Sequence, residues 1–335
     1  MVKIGILYFA VSIFLIVFSI ASSRSYKNDD LAGRVAGLNQ LDQREYEYWR
    51  AEISELGALE AASKFKNKYI SSSPQDQHKF AHIFGEVLYK SLGLDGISAC
   101  DESFAYGCYH SFIGNAIQHE GYGVVDVLNR DCFSNRTQTE GSRCQHGIGH
   151  GILAAKGYEF EQLKNSLVEC LKIEKNDRIG GCLGGVFMEY NFQTMLAEQA
   201  KIRKYDPESG WNYPCNKLAD NLKPSCHFWQ GEWLLRELKG DISLKGDMIG
   251  EICGSLNNEL SRSCYLGVGN AIPVYLNFSQ NETINFCDGF GGMGRDYCLV
   301  QAASIFRVES SVSNFGAGIC SKIKNSALRD NCEVL

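Results

Sequence analysis

Residues 144–152, CQHGIGHGI, and residues 264–272, CYLGVGNAI, are two copies of one sequence unit. The two stretches share a cysteine, two glycines, and aliphatic residues at the fifth and ninth positions. Residues 108–117, CYHSFIGNAI, form a third copy, which repeats the final GNAI of the second copy with one residue inserted before it. Internal repeats of this kind are typical of arrays in which each unit packs on its neighbours.

The fourteen cysteines follow the register of this unit and divide into seven successive pairs. The second members of the pairs recur every 34 to 44 residues, which is the period of helical-hairpin arrays. Within a pair the separation is 11 or 12 residues, except in the first pair, where it is 8. The pairs are Cys100/Cys108, Cys132/Cys144, Cys170/Cys182, Cys215/Cys226, Cys253/Cys264, Cys287/Cys298 and Cys320/Cys332.

Each first cysteine closes a segment with helical spacing of apolar residues, and each second cysteine opens another. The sequence therefore predicts an all-α fold of disulfide-stapled helical hairpins, arranged as an α/α solenoid or a closed toroid. Closing a loop of about a dozen residues contributes about 3 kcal/mol per disulfide in the chain-entropy account. Gly147 and Gly151 lie on one helix face, where they are expected to permit close helix approach or access of a ligand.

The N-terminal stretch determines the predicted compartment. Residues 4–23 are uncharged and long enough to span a bilayer as a helix. We predict a membrane anchor or a cleaved signal there, with residues 25–335 outside the cytoplasm in either case. In that oxidising setting, fourteen cysteines favour disulfides over thiolate metal ligands.

The rest of the chain is predicted to form one domain. Residues 1–23 are the signal-anchor or signal peptide, 24–42 a polar tether, and 43–335 a single α/α repeat domain with seven cysteine-pair units. Apolar periodicity predicts helices over residues 43–70 and from about Pro74 to Leu92. The segment from Lys201 to Pro214 contains proline and glycine and is predicted to be a loop between repeats.

Composition excludes one class of partner. The chain has 33 lysines and arginines against 39 acidic residues, a formal net charge of -6. A protein that binds a phosphate backbone typically has more basic than acidic residues on the binding domain. The sequence therefore predicts no nucleic-acid partner.

Histidines depart from the even distribution of the cysteines, because six of the seven lie in the first half of the chain. Two pairs have the i,i+4 spacing that places both imidazoles on one helix face, as in helical zinc sites. The repeat scaffold does not require histidine there, because sister copies carry Leu266 and Asn270 instead. We therefore predict a transition-metal site formed by His78, His82, His110, His146 and His150.

The predicted ligand set is nitrogen and oxygen, since the cysteines are oxidised. Such a set suits zinc, iron or copper, and five histidines exceed the needs of one tetrahedral ion. Glu189 is expected to complete the ligand set or to orient a histidine, and Glu189 or Glu120 is the candidate general base of a metal-dependent enzyme. Neutral imidazole is the binding form, so affinity is expected to weaken below about pH 6.5.

Several short motifs occur in a fixed order: His78-x3-His82-x2-Gly85, GCYH at 107–110, CxHGxGHG at 144–151 and CxxGVFME at 182–189. With them the chain resembles a family of uncharacterised bacterial extracytoplasmic proteins with Cys-His-Gly helical repeats. The resemblance covers about residues 45–195 and implies a shared histidine site. Two residues depart from that pattern, Gln77 in place of cysteine and Ser111 in place of glycine. More loosely, the stapled hairpins are similar to secreted TPR-like repeat proteins, whose usual role is binding.

Two classes of function remain open from the sequence. The histidines favour a metal-binding protein, with or without catalysis at the metal. The repeat architecture favours a non-catalytic scaffold that presents a concave surface to a protein or peptide. No Gly-x-Ser-x-Gly elbow, phosphate-binding loop or His-Glu-x2-His motif points to another chemistry.

Overall fold

The computed structural model of the protein describes residues 40–104, 106–134, 136–175, 177–195, 201–308 and 314–334. These residues form α-helices and short 3-10 turns without a strand, which confirms the predicted all-α fold. The helices are α1 (Gln40–Leu56), α2 (Ala58–Tyr69), α3 (Pro74–Leu92), α4 (Gly107–Glu120), α5 (Val125–Cys132), α6 (Gln138–Lys156), α7 (Phe160–Lys172), α8 (Cys182–Phe192), α9 (Lys223–Glu237), α10 (Ile242–Gly254), α11 (Asn258–Tyr275), α12 (Gln280–Asp288), α13 (Gly292–Val308), α14 (Phe315–Cys320) and α15 (Ser326–Val334).

Two layers of helices make up the array. Helices α3, α4, α6, α8, α9, α11 and α13 form an inner row, in which each helix packs on the one before and the one after. Helices α5, α7, α10 and α12 lie outside this row, each against the inner helix that follows it. Helix pairs that pack extensively are all close in sequence. Within the described residues the array is therefore an open solenoid.

All seven predicted disulfides are present, and every one joins the two members of a pair. Each bond joins a helix to the segment that precedes it in the chain. No cysteine is left free. Seven structural disulfides indicate an oxidising, extracytoplasmic environment.

The structure differs from the sequence prediction at three places. Helix α1 begins at Gln40, inside the predicted tether of residues 24–42. The helix predicted over 43–70 is interrupted by Gly57, whose φ of 79° ends α1 and starts a second helix. In two units the first cysteine is not at the end of an α-helix. Cys100 directly follows the 3-10 turn Gly93–Ala99, and Cys215 lies in the 3-10 turn Cys215–Lys217. Glycine and proline explain both turns, because Gly93 has a positive φ and Pro214 cannot donate a helical hydrogen bond.

Glycines set the distance between inner helices. A Cβ atom on Gly149 would lie 2.0 Å from the carbonyl oxygen of Cys182, and one on Gly185 would lie 1.9 Å from the carbonyl oxygen of His146. These two residues face each other across the contact of α6 with α8. The expectation of close approach at Gly147 and Gly151 is also met, since both contact the backbone of α4. Close packing brings the side chains that project from one inner helix within reach of the next.

The buried apolar side chains form two clusters. One runs from Tyr46 to Cys226 and contains the inner helices that carry the clustered histidines. The other runs from Phe192 to Cys332. None of the helices in the described residues has the length and hydropathy to span a membrane. Residues 4–23 lie outside the described residues, so the anchor or signal there stays a prediction.

Candidate metal centre

Three consecutive inner helices carry the clustered histidines. Helix α3 carries His78 and His82, α4 carries His110, and α6 carries His146 and His150. Each i,i+4 pair lies on one helix face because four residues make about one turn. Since α4 packs between α3 and α6, the five predicted side chains come together.

His110 lies at the centre of this cluster. Its ring centroid is 5.6 Å from those of His78 and His82, 5.8 Å from that of His146 and 4.8 Å from that of His150. The nitrogens converge in two groups, each with ligand atoms within 4.8 Å of one another. We name them the outer triad (His78, His82, His110) and the inner triad (His110, His146, His150).

The two triads differ in access to solvent. His78 and His82 are partly exposed, whereas the three members of the inner triad are buried. The indole of Trp229 lies 4.9 Å from the ring of His146 and covers it, and its Nε1 donates to the carbonyl oxygen of Ile179. An ion in the inner triad would therefore be shielded from bulk water, with the outer triad on the more open side.

Glu189 is fully buried beside the inner triad and accepts five hydrogen bonds. Burial alone would raise the pKa of its carboxyl, but the hydrogen bonds, that from His150 foremost, hold this pKa below its usual value. With this many donors the carboxylate has little remaining capacity to bind an ion or accept a further proton. The donors are His150 Nδ1 (2.8 Å), Thr194 N (3.1 Å) and Thr194 Oγ1 (2.6 Å) to Oε2, and Met195 N (3.0 Å) and the Tyr158 hydroxyl to Oε1.

The contact with Glu189 selects one tautomer of His150. Nδ1 donates to the carboxylate, so Nε2 carries the lone pair of the neutral ring. Nε2 is buried and has no hydrogen-bond partner among the described residues. A buried acceptor without a partner costs free energy. The Glu189 contact is the arrangement that metal-ligating histidines make to their supporting carboxylates.

The other histidines of the cluster are held neutral. Burial lowers the pKa of His82, His110 and His146 well below the usual value of 6.5 and lowers that of His78 as well. Neutral imidazole is the form that binds metal ions. These lowered pKa values move the expected loss of metal from about pH 6.5 to lower pH.

We expect the free energy of unfolding of the metal-free protein to fall as the pH drops below about 6.5. The pKa values of four histidines are lower in the folded chain, so below pH 6.5 the unfolded chain binds more protons and acid favours unfolding. Each such histidine contributes a slope of at most about 1.4 kcal/mol per pH unit. Denaturant unfolding of the chelator-treated protein from pH 7.5 to 5 measures this slope. A flat profile would contradict the prediction.

Glu120 is not brought to the cluster. It lies ten residues after His110 on α4, which is about 15 Å along the helix axis. Its exposed carboxylate accepts a hydrogen bond from the Tyr89 hydroxyl at 3.0 Å. The remaining histidines are also outside the cluster: the His119 ring stacks on Tyr89, and His227 is buried at the start of α9.

Three contributors to the site escaped the sequence analysis. Tyr158 and Thr194 hold Glu189, and Trp229 covers His146. Trp229 follows Cys226 by three positions, which is a place the repeat alignment does not single out. Tyr158 and Thr194 lie in loops, where no periodicity marks them. No protein-family model, no curated protein and no solved structure matches the chain.

Proposed function

We propose that this protein is an extracytoplasmic metal-binding protein that holds a transition-metal ion in the inner triad. The observation that carries the proposal is the His150 imidazole, whose Nδ1 is bound to Glu189 while its buried Nε2 has no partner. Most buried side-chain polar atoms have a partner, and a ligating histidine keeps one lone pair for its ion. Two further imidazoles converge on the same place. His227 Nδ1 is also buried without a partner, but His227 belongs to no group of converging ligands among the described residues.

The donor set restricts the ion. All fourteen cysteines are in disulfides, so thiolates do not contribute, and the triad offers three imidazole nitrogens. Imidazole suits zinc, copper and iron among the common ions. Three protein ligands leave a coordination position open, which is the arrangement of catalytic and not of structural zinc sites.

We extend the proposal from metal binding to catalysis at this ion. A bound transition metal supplies Lewis acidity at its open position. In that mechanism Glu189 is a positioning residue, which holds the tautomer of His150, because its hydrogen bonds leave it little capacity as a base. The repeat array, in turn, supplies rigid helices that fix the ligands.

The test replaces two inner ligands with the residues of the sister repeat. The His146→Leu/His150→Asn double variant copies Leu266 and Asn270, which the sister repeat accommodates at the equivalent helix positions. Removing two of three ligands is expected to lower metal affinity at this site at least about 100-fold. Full-length protein is dialysed against zinc(II) or copper(II), and bound metal is measured by mass spectrometry.

His119→Asn is the matched control, since it removes a histidine outside the cluster and is expected to keep the full metal content. Circular dichroism and non-reducing peptide mapping show whether each variant retains its helices and seven disulfides. The proposal fails if the double variant keeps all the metal of the parent. It also fails if the parent binds neither ion and retains no iron after expression with iron supplied. A non-catalytic scaffold for a protein or peptide then becomes the better explanation of the array.

A further inference from the structure

The outer triad has the geometry of a second site. His78 Nδ1 lies 2.9 Å from the carbonyl oxygen of Phe104, to which it donates, so the lone pair of this ring is on Nε2. His82 Nε2 lies 3.1 Å from His78 Nε2 and donates a hydrogen bond to it, so an ion bound here would replace this hydrogen bond and the His82 proton would move to Nδ1. Two nitrogens that bind one ion at 2.0–2.1 Å are about 2.9 to 3.4 Å apart. The pair is therefore spaced as two ligands of one ion.

One ion does not account for all five imidazoles. The nitrogens converge as two separate groups, and only His110 belongs to both. The pairs of α3 and α6 lie on opposite sides of α4, and each pair contacts the His110 ring. An ion bound between His78 and His82 and an ion bound between His146 and His150 would thus both lie next to the His110 ring.

His110 has the chemistry to serve both positions. An imidazole has two ring nitrogens on different edges, and the neutral ring offers a lone pair on one of them. When the N–H bond breaks and its proton leaves to water, the second nitrogen gains a lone pair and binds the second ion. The ring and two bonds of about 2 Å then separate the ions by about 6 Å. The negative charges of this imidazolate and of Glu189 offset part of the charge of the two cations.

We infer that the histidine cluster is a two-ion transition-metal centre, with one ion in each triad and His110 as the shared, bridging ligand. This inference rests on the proposed function, because it presupposes the ion of the inner triad. The outer ion lies on the partly exposed side of the cluster, where exchange with solvent is faster. The inner ion lies behind it, under Trp229.

Copper(II) is the probe, because it reports both the number of ions and the distance between them. The full-length parent is expected to bind two copper(II) ions per chain. At about 6 Å the two spins interact, so the paramagnetic resonance signal is expected to be broadened and weaker than that of two isolated ions.

The His78→Gln/His82→Leu double variant removes the outer pair and is expected to bind one ion, with the signal of an isolated copper(II). His110→Leu copies Leu266 and is expected to weaken both ions, because it removes the ligand that they share. His119→Asn is expected to behave as the parent. Circular dichroism and disulfide mapping again verify the fold of each variant.

Different results separate this inference from the proposed function. A parent that binds one ion, and keeps it in the His78→Gln/His82→Leu variant, overturns the two-ion centre and leaves the inner site standing. Two ions without spin interaction, or a His110→Leu variant that loses one ion and holds the other at parental affinity, overturns the shared ligand. If the parent binds neither copper nor zinc and retains no iron, both the two-ion centre and the proposed function are overturned.

Discussion

The Gly185→Ala chain is expected to lose about 4 kcal/mol or more of its free energy of unfolding, at the upper end of the range for single substitutions. The added methyl would lie 1.9 Å from the carbonyl oxygen of His146 and 3.0 Å from the backbone nitrogen of His150. Both atoms belong to the backbone of α6, so no side chain can rotate away, and α6 and α8 must separate. Alanine's better helix propensity offsets only about 1 kcal/mol of this cost.

The matched control is Gly250→Ala, another glycine within a helix. Its added methyl would lie 3.6 Å from the nearest atom, a ring carbon of Phe290, which is an ordinary contact. This control is expected to raise the free energy of unfolding by up to about 1 kcal/mol. Denaturant unfolding with the disulfides intact compares the two variants and the parent. Equal stability of the Gly185→Ala chain and the parent would contradict the close packing of α6 on α8.

Replacing Glu189 with glutamine is expected to weaken metal binding about 10- to 100-fold, the usual effect of removing a carboxylate that supports a histidine ligand. The amide is similar in shape but neutral, so it holds the Nδ1 proton of His150 less strongly. If the NH2 group of the glutamine takes the place of Oε1, it faces two hydrogen-bond donors, Met195 N and the Tyr158 hydroxyl, and cannot accept from either. Competition with a chelator for zinc(II) measures the affinity.

Two further variants distinguish support of the ligand from a general loss of stability. Tyr158→Phe removes one hydrogen bond to Glu189 but leaves His150 in contact with the carboxylate, so its effect on affinity is expected to be much smaller. Glu232→Gln changes a glutamate on α9 that pairs with Arg236, and it is expected to have no effect. If Glu189→Gln binds zinc(II) as tightly as the parent, Glu189 does not support a ligand.

The local sequence pattern is sufficient to predict most residues of the candidate site. Histidine at the second and sixth positions after the cysteine, where sister copies carry Leu266 and Asn270, already separated these side chains from packing residues. The sequence also points to Glu189, but it leaves three roles open: ligand, general base and orienting group. The hydrogen bond with His150 on α6 favours the orienting role, and the four other donors lie in loops whose positions no periodicity encodes.

The sequence by itself determined the repeat, the helical hairpins and the seven disulfide pairs, because cysteine spacing and helix periodicity are local and recur in every unit. Its local signals did not show which of Glu120 and Glu189 meets the histidines: Glu120 directly follows His119, whereas Glu189 lies 39 residues after His150. Only the packing of inner helices decided that one lies against His150 and the other about 15 Å along α4 from His110. The division of five histidines into two triads has the same origin. It depends on which faces of α3, α4 and α6 meet, and close contacts across the inner helices fix those faces.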